Sequence, residues 1–201
     1  DAAQENAVRH LQRLYDDLVN GGQQDSGLLG KLFGRKKPQG PIKGIYFWGG
    51  VGRGKTYLVD TFFDALPFKQ KMRTHFHRFM KRVHEEMKTL KGEKNPLTII
   101  ARRFADEARV ICFDEFFVSD ITDAMILATL LEELFKNGVS LVATSNIVPD
   151  GLYRDGLQRA RFLPASALLE THCVVHFLDS PQDYRLRQLT RAETYLTPLG
   201  A

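Results

Sequence analysis

The sequence contains few cysteines and no long hydrophobic run. Two cysteines among 201 residues cannot supply the disulfide framework of a small secreted domain. Cys112 and Cys173 each lie in an apolar run, which predicts buried, reduced thiols in a cytosolic type of compartment, with a redox pair as the alternative. No apolar run approaches the ~18 residues of a membrane-spanning helix. The N-terminus also lacks the charged-then-apolar pattern of a signal peptide.

Acidic residues are missing from one stretch, between Ser26 and Val59, which holds seven Lys or Arg residues although the net charge of the chain is only +4. Residues 21–43 are also rich in Gly and Pro, so we expect a basic, flexible insertion with a solvated surface. The alternative hypothesis is an arm that docks on an acidic partner or a membrane surface. Nucleic-acid binding is not favoured, because aromatic residues are not interleaved with the basic ones. The basic residues outside the phosphate motif described below are Lys31, Arg35, Lys36, Lys37 and Lys43.

Short apolar runs alternate with helical stretches along the chain. Strands separated by helices of this length favour parallel pairing, with helices on both faces of one sheet, so we predict a three-layer α/β domain. Ser119 is the predicted N-cap of the helix 120–136. The predicted strands are 45–48, 72–76, 110–113, 139–143 and 174–178. The predicted helices are 3–19, 55–66, 78–90, 97–108 and 120–136, with a last one within 161–171.

A glycine-rich motif follows the first predicted strand and opens the next helix. Residues 49–56 match G-x-x-x-x-G-K-[ST] at every position. Glycines let the backbone turn its N–H groups towards phosphate oxygens, and the helix N-terminus adds partial positive charge. Lys55 is expected to reach the β- and γ-phosphates, and Thr56 to offer a hydroxyl to Mg²⁺. The predicted nucleotide-binding residues are Gly49, Gly50, Val51, Gly52, Arg53, Gly54, Lys55, Thr56 and Tyr57.

Two carboxylates end the strand predicted at 110–113. In P-loop proteins the acid at this place holds magnesium, often through water, so we assign Asp114 to the metal. Glu115 is then placed to polarise the attacking water as a general base. A solvated acidic turn is the simpler interpretation of such a pair alone, but the phosphate motif favours the functional one. Asp120 is expected in the first turn of the next helix, and a supporting role at the site is the alternative for Asp120 and Asp123.

Polar and basic residues follow the strand predicted at 139–143. Asn146 is expected to orient water near the γ-phosphate, although an asparagine at such a place also fits a turn. Arg159, with Arg161 second, is our prediction for an arginine that reaches the γ-phosphate held by a neighbouring subunit. Such a residue raises the rate by roughly 10³–10⁵-fold. Ordinary surface arginines are the alternative interpretation.

Three histidines, His75, His77 and His84, raise the hypothesis of a metal site, because H-x-H spacing puts two rings on one face of a strand. Nearby basic residues and the lack of a Cys or carboxylate cluster favour partly buried or surface histidines instead. The strand between the phosphate motif and Asp114, together with Glu115, indicates the additional-strand, catalytic-glutamate division of P-loop proteins, with the expected strand order 5-1-4-3-2. No N-K-x-D segment occurs, so ATP is the expected nucleotide.

Six segments of the chain closely resemble the AFG-one-like AAA+ family. They are 44–56, 75–80, 112–116, 120–125, 143–146 and 152–164, within a likeness that spans about 44–187. The resemblance implies an AAA+ ATPase core, with Lys55, Asp114, Glu115, Asn146 and Arg159 in the roles given above. It also implies an N-terminal helix at 1–20, a basic insertion at 21–43 and a nucleotide-binding core at 44–201. Family members continue past residue 201, so their helical lid is expected to be largely absent from this chain.

The family's bacterial member is a cell-division ATPase and its eukaryotic members are mitochondrial. The resemblance therefore implies an ATP-driven, Mg²⁺-dependent enzyme that remodels or regulates a protein partner, namely the FtsZ ring if the chain is bacterial. It implies a homo-oligomer through Arg159, in the cytoplasm at the division site, or in mitochondria for a eukaryotic member. The alternatives are a nucleotide-gated protein-binding module and a DNA-linked ATPase of the initiator or helicase-loader type. The N-terminal helix near Gln4 is a candidate to cover the base.

Overall fold

The computed structural model of the chain describes residues 2–23, 41–50 and 54–178. The described part contains one sheet and helices on both of its faces. The strands are β1 Gly44–Trp48, β2 Lys71–His75, β3 Val110–Asp114, β4 Ser140–Ser145 and β5 Cys173–Phe177. The helices are α1 Ala2–Gln23, α2 Lys55–Ala65, α3 Phe76–Thr89, α4 Pro96–Glu107, α5 Ile121–Lys136 and α6 Arg159–His172. The basic residues at 31, 35, 36 and 37 lie outside the described residues, whereas Lys43 is described and exposed.

The five strands are all parallel and lie in the order β2-β3-β4-β1-β5. Counted from the other edge this is 5-1-4-3-2, so the predicted α/β fold and strand order are confirmed. The order follows from the chain's alternation of strand and helix, because a parallel neighbour requires a crossover of a dozen residues or more. The middle of the sheet is formed by β4 and its neighbours β1 and β3, and the carboxyl ends of these strands form one edge.

The predicted elements are correct in type, but several of their ends differ. The chain leaves β2 at His75 and enters α3 at once, two residues before the predicted start of that helix. The reason is that β2 is an edge strand with half-buried residues, so hydrophobicity does not mark its limits. Helix α1 continues to Gln23, beyond its predicted end at residue 19, and Arg109 donates to the carbonyl of Leu18 in its last turns.

The core consists of two clusters on opposite faces of the sheet. In β3, Ile111 and Phe113 join one cluster, whereas Val110 and Cys112 join the other, as the two-residue period of a strand requires. The first cluster is rich in phenylalanine and packs against α3, α4, α5 and α6; the second packs against α1 and α2. Cys173 lies in the first cluster, so the two free cysteines lie on different faces. Burial raises the pKa of both thiols to about 12, which confirms the predicted buried thiols.

Helix α5 starts at a different N-cap residue from the one that the sequence predicted. Asp120 is the N-cap of α5 and accepts a hydrogen bond of 2.6 Å from the backbone N–H of Thr122. The hydrogen bond from the Thr122 hydroxyl, followed by the one from this N–H, lowers the pKa of the carboxyl. The predicted cap, Ser119, was wrong by one residue, because it is the extended backbone at Asp120 that turns into the helix. Within the three described ranges, each helix is either too short or too polar to cross a bilayer.

Candidate functional site

The site residues predicted from the sequence gather where the three central strands end. The register pairs Trp48 of β1 with Ser145 of β4, and β4 also pairs with β3. The loops that leave β1, β3 and β4 therefore start side by side. In open α/β sheets this edge is where ligands bind, in the crevice outside the carboxyl ends of the strands.

The phosphate loop leaves β1 at Gly49 and enters α2 at Lys55. Gly49 has φ 145° and Gly54 has φ 78°, backbone conformations that favour glycine. A Cβ atom on Gly49 would lie 2.6 Å from the carbonyl oxygen of Leu178, so the loop can start here only without a side chain. Its backbone N–H donates to the carbonyl of Ser145 over 3.2 Å, which fixes the start of the loop to β4. Three predicted loop residues, Val51, Gly52 and Arg53, lie outside the described residues.

Lys55 is buried at the start of α2, with 8% of its surface exposed. Its ammonium donates to the carbonyl oxygens of Gly49 and Gly50, each over 2.8 Å. The positive charge therefore lies against the start of the glycine-rich segment, where the sequence motif predicts that phosphate oxygens bind. Thr56 and Tyr57 follow in the first turn of α2 and are exposed.

Asp114 ends β3 with an ion pair that the sequence analysis did not foresee. Its two carboxylate oxygens accept hydrogen bonds from Arg73 of β2, at 3.0 Å from Nε and 3.1 Å from Nη2. Both side chains are largely buried, at 16% exposure for Arg73 and 14% for Asp114. The remaining nitrogen, Nη1, contacts the carboxylate of Asp60 on α2. The predicted metal residue is thus neutralised by a side chain of the neighbouring strand.

Glu115 follows in a left-handed backbone conformation, φ 53°, which is uncommon for a residue with a side chain. Its backbone N–H donates to the hydroxyl of Thr144 over 3.3 Å, and its carboxylate points outward, with 78% exposure. The nearest ring nitrogen is Nδ1 of His75, at 3.9 Å. Strained residues persist where the surrounding structure holds them, and such residues cluster at functional sites.

Asn146 is exposed and immediately follows β4. The residue before it, Ser145, is buried and connects two loops: its hydroxyl donates to the carbonyl of Phe116 over 2.7 Å and accepts from the N–H of Ile147 over 3.1 Å. The loop that carries Glu115 and the loop that carries Asn146 are therefore tied to each other through one hydroxyl.

The two candidate arginines differ in their contacts. The guanidinium of Arg159 folds back on the preceding turn and donates to the carbonyls of Tyr153, Asp150 and Leu152, at 3.1, 2.5 and 3.4 Å. Arg161, two residues further along the chain, is exposed and donates to the side chain of Gln158 over 3.2 Å. Both arginines lie in the first turn of α6, and neither has a recorded contact with the phosphate loop among the described residues.

The H-x-H spacing predicted that His75 and His77 share one face of a strand, and in the structure they do not. That part of the prediction was wrong, because β2 ends at His75 and His77 already lies in α3. Their rings nevertheless lie 5.7 Å apart. His84 pairs with Asp123 of α5 at 2.6 Å and so links two helices. Among the residues that the structure describes, no group of three His, Cys, Asp or Glu side chains could hold a metal ion.

Sequence reasoning missed the residues that hold the predicted site in place, chiefly Arg73, Thr144 and Ser145. In the sequence analysis Arg73 counted only as one of the basic residues near the histidines. Its signal in the sequence is an arginine within the strand predicted at 72–76, and such a charge needs a partner when it is buried. Thr144 and Ser145 carry no comparable signal, because hydroxyl residues are common at strand ends.

Several solved structures share the fold of this chain. The structure of DnaI matches with a TM-score of 0.59 and 17% identity, over 90% of this chain and 84% of that one. The DnaC helicase loader matches with a TM-score of 0.58 and 14% identity, over 89% and 92%. AMPPCP-bound DnaA from Aquifex aeolicus matches with a TM-score of 0.55 and 15% identity, over 79% and 48%. At these identities the likeness shows the fold alone.

The chain belongs to the AFG1-like ATPase family, whose model matches residues 1–201. The cell division protein ZapE of Escherichia coli strain K12 is 54% identical over 207 residues, which cover 99% of this chain and 55% of ZapE. The zebrafish (Danio rerio) lactation elevated protein 1 homolog B is 43% identical over 163 residues, which cover 76% of this chain and 32% of that protein. The chain thus spans about half the length of the bacterial relative.

Proposed function

We propose that the chain binds ATP with Mg²⁺ at the carboxyl edge of the sheet and hydrolyses it. The observation that carries this proposal is the buried ammonium of Lys55, which lies at the start of α2 against the carbonyls of Gly49 and Gly50, where the neighbouring strand β3 ends in Asp114. A glycine-rich turn with a positive charge at a helix N-terminus is the arrangement that binds phosphate.

Lys55 would exchange its two loop carbonyls for phosphate oxygens when the nucleotide binds. Thr56 and Asp114 are the proposed magnesium residues, and a hydroxyl with a carboxylate is the hard oxygen donor set that this ion prefers. Bound there, the ion would neutralise charge on the β- and γ-phosphates. The further residues of the proposed nucleotide site are Gly49, Gly50, Val51, Gly52, Arg53, Gly54 and Tyr57.

Glu115 is the proposed general base. Its exposed carboxylate can accept a proton from water, and its strained backbone is held by Thr144. Asn146 is proposed to orient the same water, because Ser145 ties its loop to that of Glu115. A positioned base contributes roughly 10²–10⁴-fold to a rate.

Arg159 is proposed to act on the nucleotide of a neighbouring copy of this chain, which would make the protein a homo-oligomer. To do so, its guanidinium must leave the three carbonyls that it holds in the free chain. Arg161 is the alternative, because it is exposed as it stands. Leu157 and Leu163, both exposed beside these arginines, would be covered in such an interface.

The proposed partner is the FtsZ ring, and the proposed place of action is the cytoplasm at the division site. The support is the name of the 54% identical relative, a cell division protein. The basic insertion at 21–43 is proposed to separate the N-terminal helix, 1–20, from the nucleotide-binding core, 44–201, and to offer a contact for a membrane surface. A eukaryotic protein of this family would act in mitochondria instead.

The test of the enzyme proposal is a comparison of ATP binding and ATP turnover in two variants and the wild type. Lys55→Ala should lose saturable binding of Mg·ATP, because the buried charge of the loop is gone. Glu115→Gln should keep binding and lose turnover by roughly 10²–10⁴-fold. Wild-type protein that is folded but binds no Mg·ATP would refute the proposal. Partner-directed activity that survives in Glu115→Gln would instead favour a nucleotide-gated binding module.

The test of the assembly proposal is the ATPase rate per subunit measured against protein concentration, with and without purified FtsZ. A shared site predicts a rate that rises through the assembly range. Arg159→Ala should abolish that rise while ATP binding persists, and Arg161→Ala serves as its matched neighbour. A rate that stays flat with concentration would count against a shared site. Salt-dependent DNA binding would favour the DNA-linked alternative.

A further inference from the structure

Arg73 is a largely buried cation next to the proposed site. It lies in the middle of β2, with its backbone paired to Cys112 of β3, and its side chain reaches along the sheet to the end of that strand. Its three guanidinium nitrogens are divided between two carboxylates: Nε and Nη2 on Asp114, and Nη1 on Asp60. These contacts join β2, β3 and α2, the helix that begins at Lys55.

The geometry of the pair matters for any cation that binds Asp114. Two parallel charge-assisted hydrogen bonds engage both carboxylate oxygens, so the charge of Asp114 is already compensated within the chain. A second, divalent cation at the same carboxylate would be repelled by the guanidinium and would compete with it for oxygen lone pairs. Asp60 differs from Asp114 because 53% of its side chain is exposed, so it can hold the guanidinium at the edge of the site.

We propose that Arg73 is a positioning residue that occupies Asp114 in the nucleotide-free protein, yields it when Mg²⁺ binds with the nucleotide, and thereby sets the magnesium concentration that binding requires. Asp60 retains the guanidinium in the released position. This inference rests on the proposed function, because it concerns the same carboxylate. A purely structural ion pair would instead stabilise the protein equally with and without the magnesium nucleotide.

The test is a magnesium titration of Arg73→Gln in the presence of AMPPNP, a non-hydrolysable ATP analogue. The readout is the thermal unfolding temperature at each magnesium concentration. The variant should need about tenfold less Mg²⁺ for half-saturation than the wild type, because the competing charge is gone. Without magnesium it should unfold at a lower temperature, because Asp114 is left buried and unpaired. Saturating Mg·AMPPNP should reduce the difference in unfolding temperature between the variant and the wild type.

Two further variants keep the test decisive. Arg73→Lys retains the charge without the bidentate contact, so its magnesium concentration at half-saturation should lie between those of the wild type and Arg73→Gln. This variant also keeps the test usable if Arg73→Gln fails to fold. Arg103→Gln removes an exposed arginine that pairs with Glu86 on α3 and should leave the magnesium midpoint unchanged. A wild type that binds no magnesium nucleotide would overturn the proposed function and this inference together. Wild-type binding with an unchanged midpoint in both Arg73 variants would overturn this inference alone.

Discussion

Replacing Ser145 with alanine would remove the one hydroxyl that joins the loop of Glu115 to the loop of Asn146. Ser145 is 3% exposed, so water cannot easily take the place of the lost oxygen. Its hydroxyl donates to the carbonyl of Phe116 and accepts from the N–H of Ile147. The substitution therefore leaves one buried acceptor and one half-buried donor without their partner.

The size of the effect follows from these two groups. A buried polar group left unpaired costs about 1–3 kcal/mol, and the carbonyl of Phe116 belongs to this class. The N–H of Ile147 is partly accessible to water, so its loss adds about 0.5–1.5 kcal/mol. Together we expect Ser145→Ala to lower the free energy of unfolding by about 1.5–4.5 kcal/mol. For a domain of this size that corresponds to a fall of roughly 3–18 °C in the unfolding temperature.

The measurement is urea unfolding of the variant beside Ser119→Ala. Ser119 lies in the loop that also carries Glu115 and is exposed, so its replacement should change the free energy of unfolding by no more than about 0.5 kcal/mol. In the ATPase assay Ser145→Ala should lower kcat more than it weakens ATP binding, because the loops that position water lose their common tie. If the two serine variants unfolded at the same urea concentration, the proposed tie between the loops would be refuted.

Other parts of the fold offer independent tests by urea unfolding. Phe104→Ala should cost about 3–5 kcal/mol, because that ring is fully buried, and a loss below 1 kcal/mol would contradict its place in the core. Gly44→Ala should cost about 1–3 kcal/mol or more, because its Cβ atom would lie 1.8 Å from the carbonyl oxygen of Leu141; wild-type stability would contradict the β1–β4 register. The hydrogen bond from Arg82 lowers the pKa of Glu107 below its usual value of 4.5, so the pair stabilises the fold above that pH and loses this effect as the pH falls through the lowered pKa. Glu107→Gln should therefore cost about 0.2–1 kcal/mol at pH 7 and less at pH 3; an equal cost at both would argue against the pair.

The fold was largely predictable because its pattern is local. Short strands that alternate with helices fix the parallel sheet and leave few strand orders. The predicted ends of elements are wrong where the local sequence marks an end weakly, or where two neighbouring residues mark it equally well. The ends of β2 were misplaced because an edge strand carries polar residues on its open side. Ser119 and Asp120 are both good N-cap residues, and only the backbone conformation decides between them.

Some residues of the candidate site were predictable from the sequence, whereas the contacts that hold them were not. The phosphate motif and the acidic pair are visible because their residues are neighbours in the sequence. The partner of Asp114 was not visible, because Arg73 lies 41 residues away and reaches it through the pairing of two strands. Likewise, nothing in the local sequence shows that Arg159 holds the carbonyls of the turn before it. Spacing thus reveals which residues carry the chemistry but not what holds them before the ligand arrives.

Strand β4 supports the starts of both proposed functional loops at once. Through Ser145 it holds the first N–H of the phosphate loop, and through Thr144 it holds the backbone of Glu115. A backbone shift of this strand end would therefore displace both loops together. A substitution that moves the backbone here is expected to weaken nucleotide binding and catalysis together, whereas removal of the Ser145 hydroxyl leaves in place the backbone carbonyl that holds the phosphate loop.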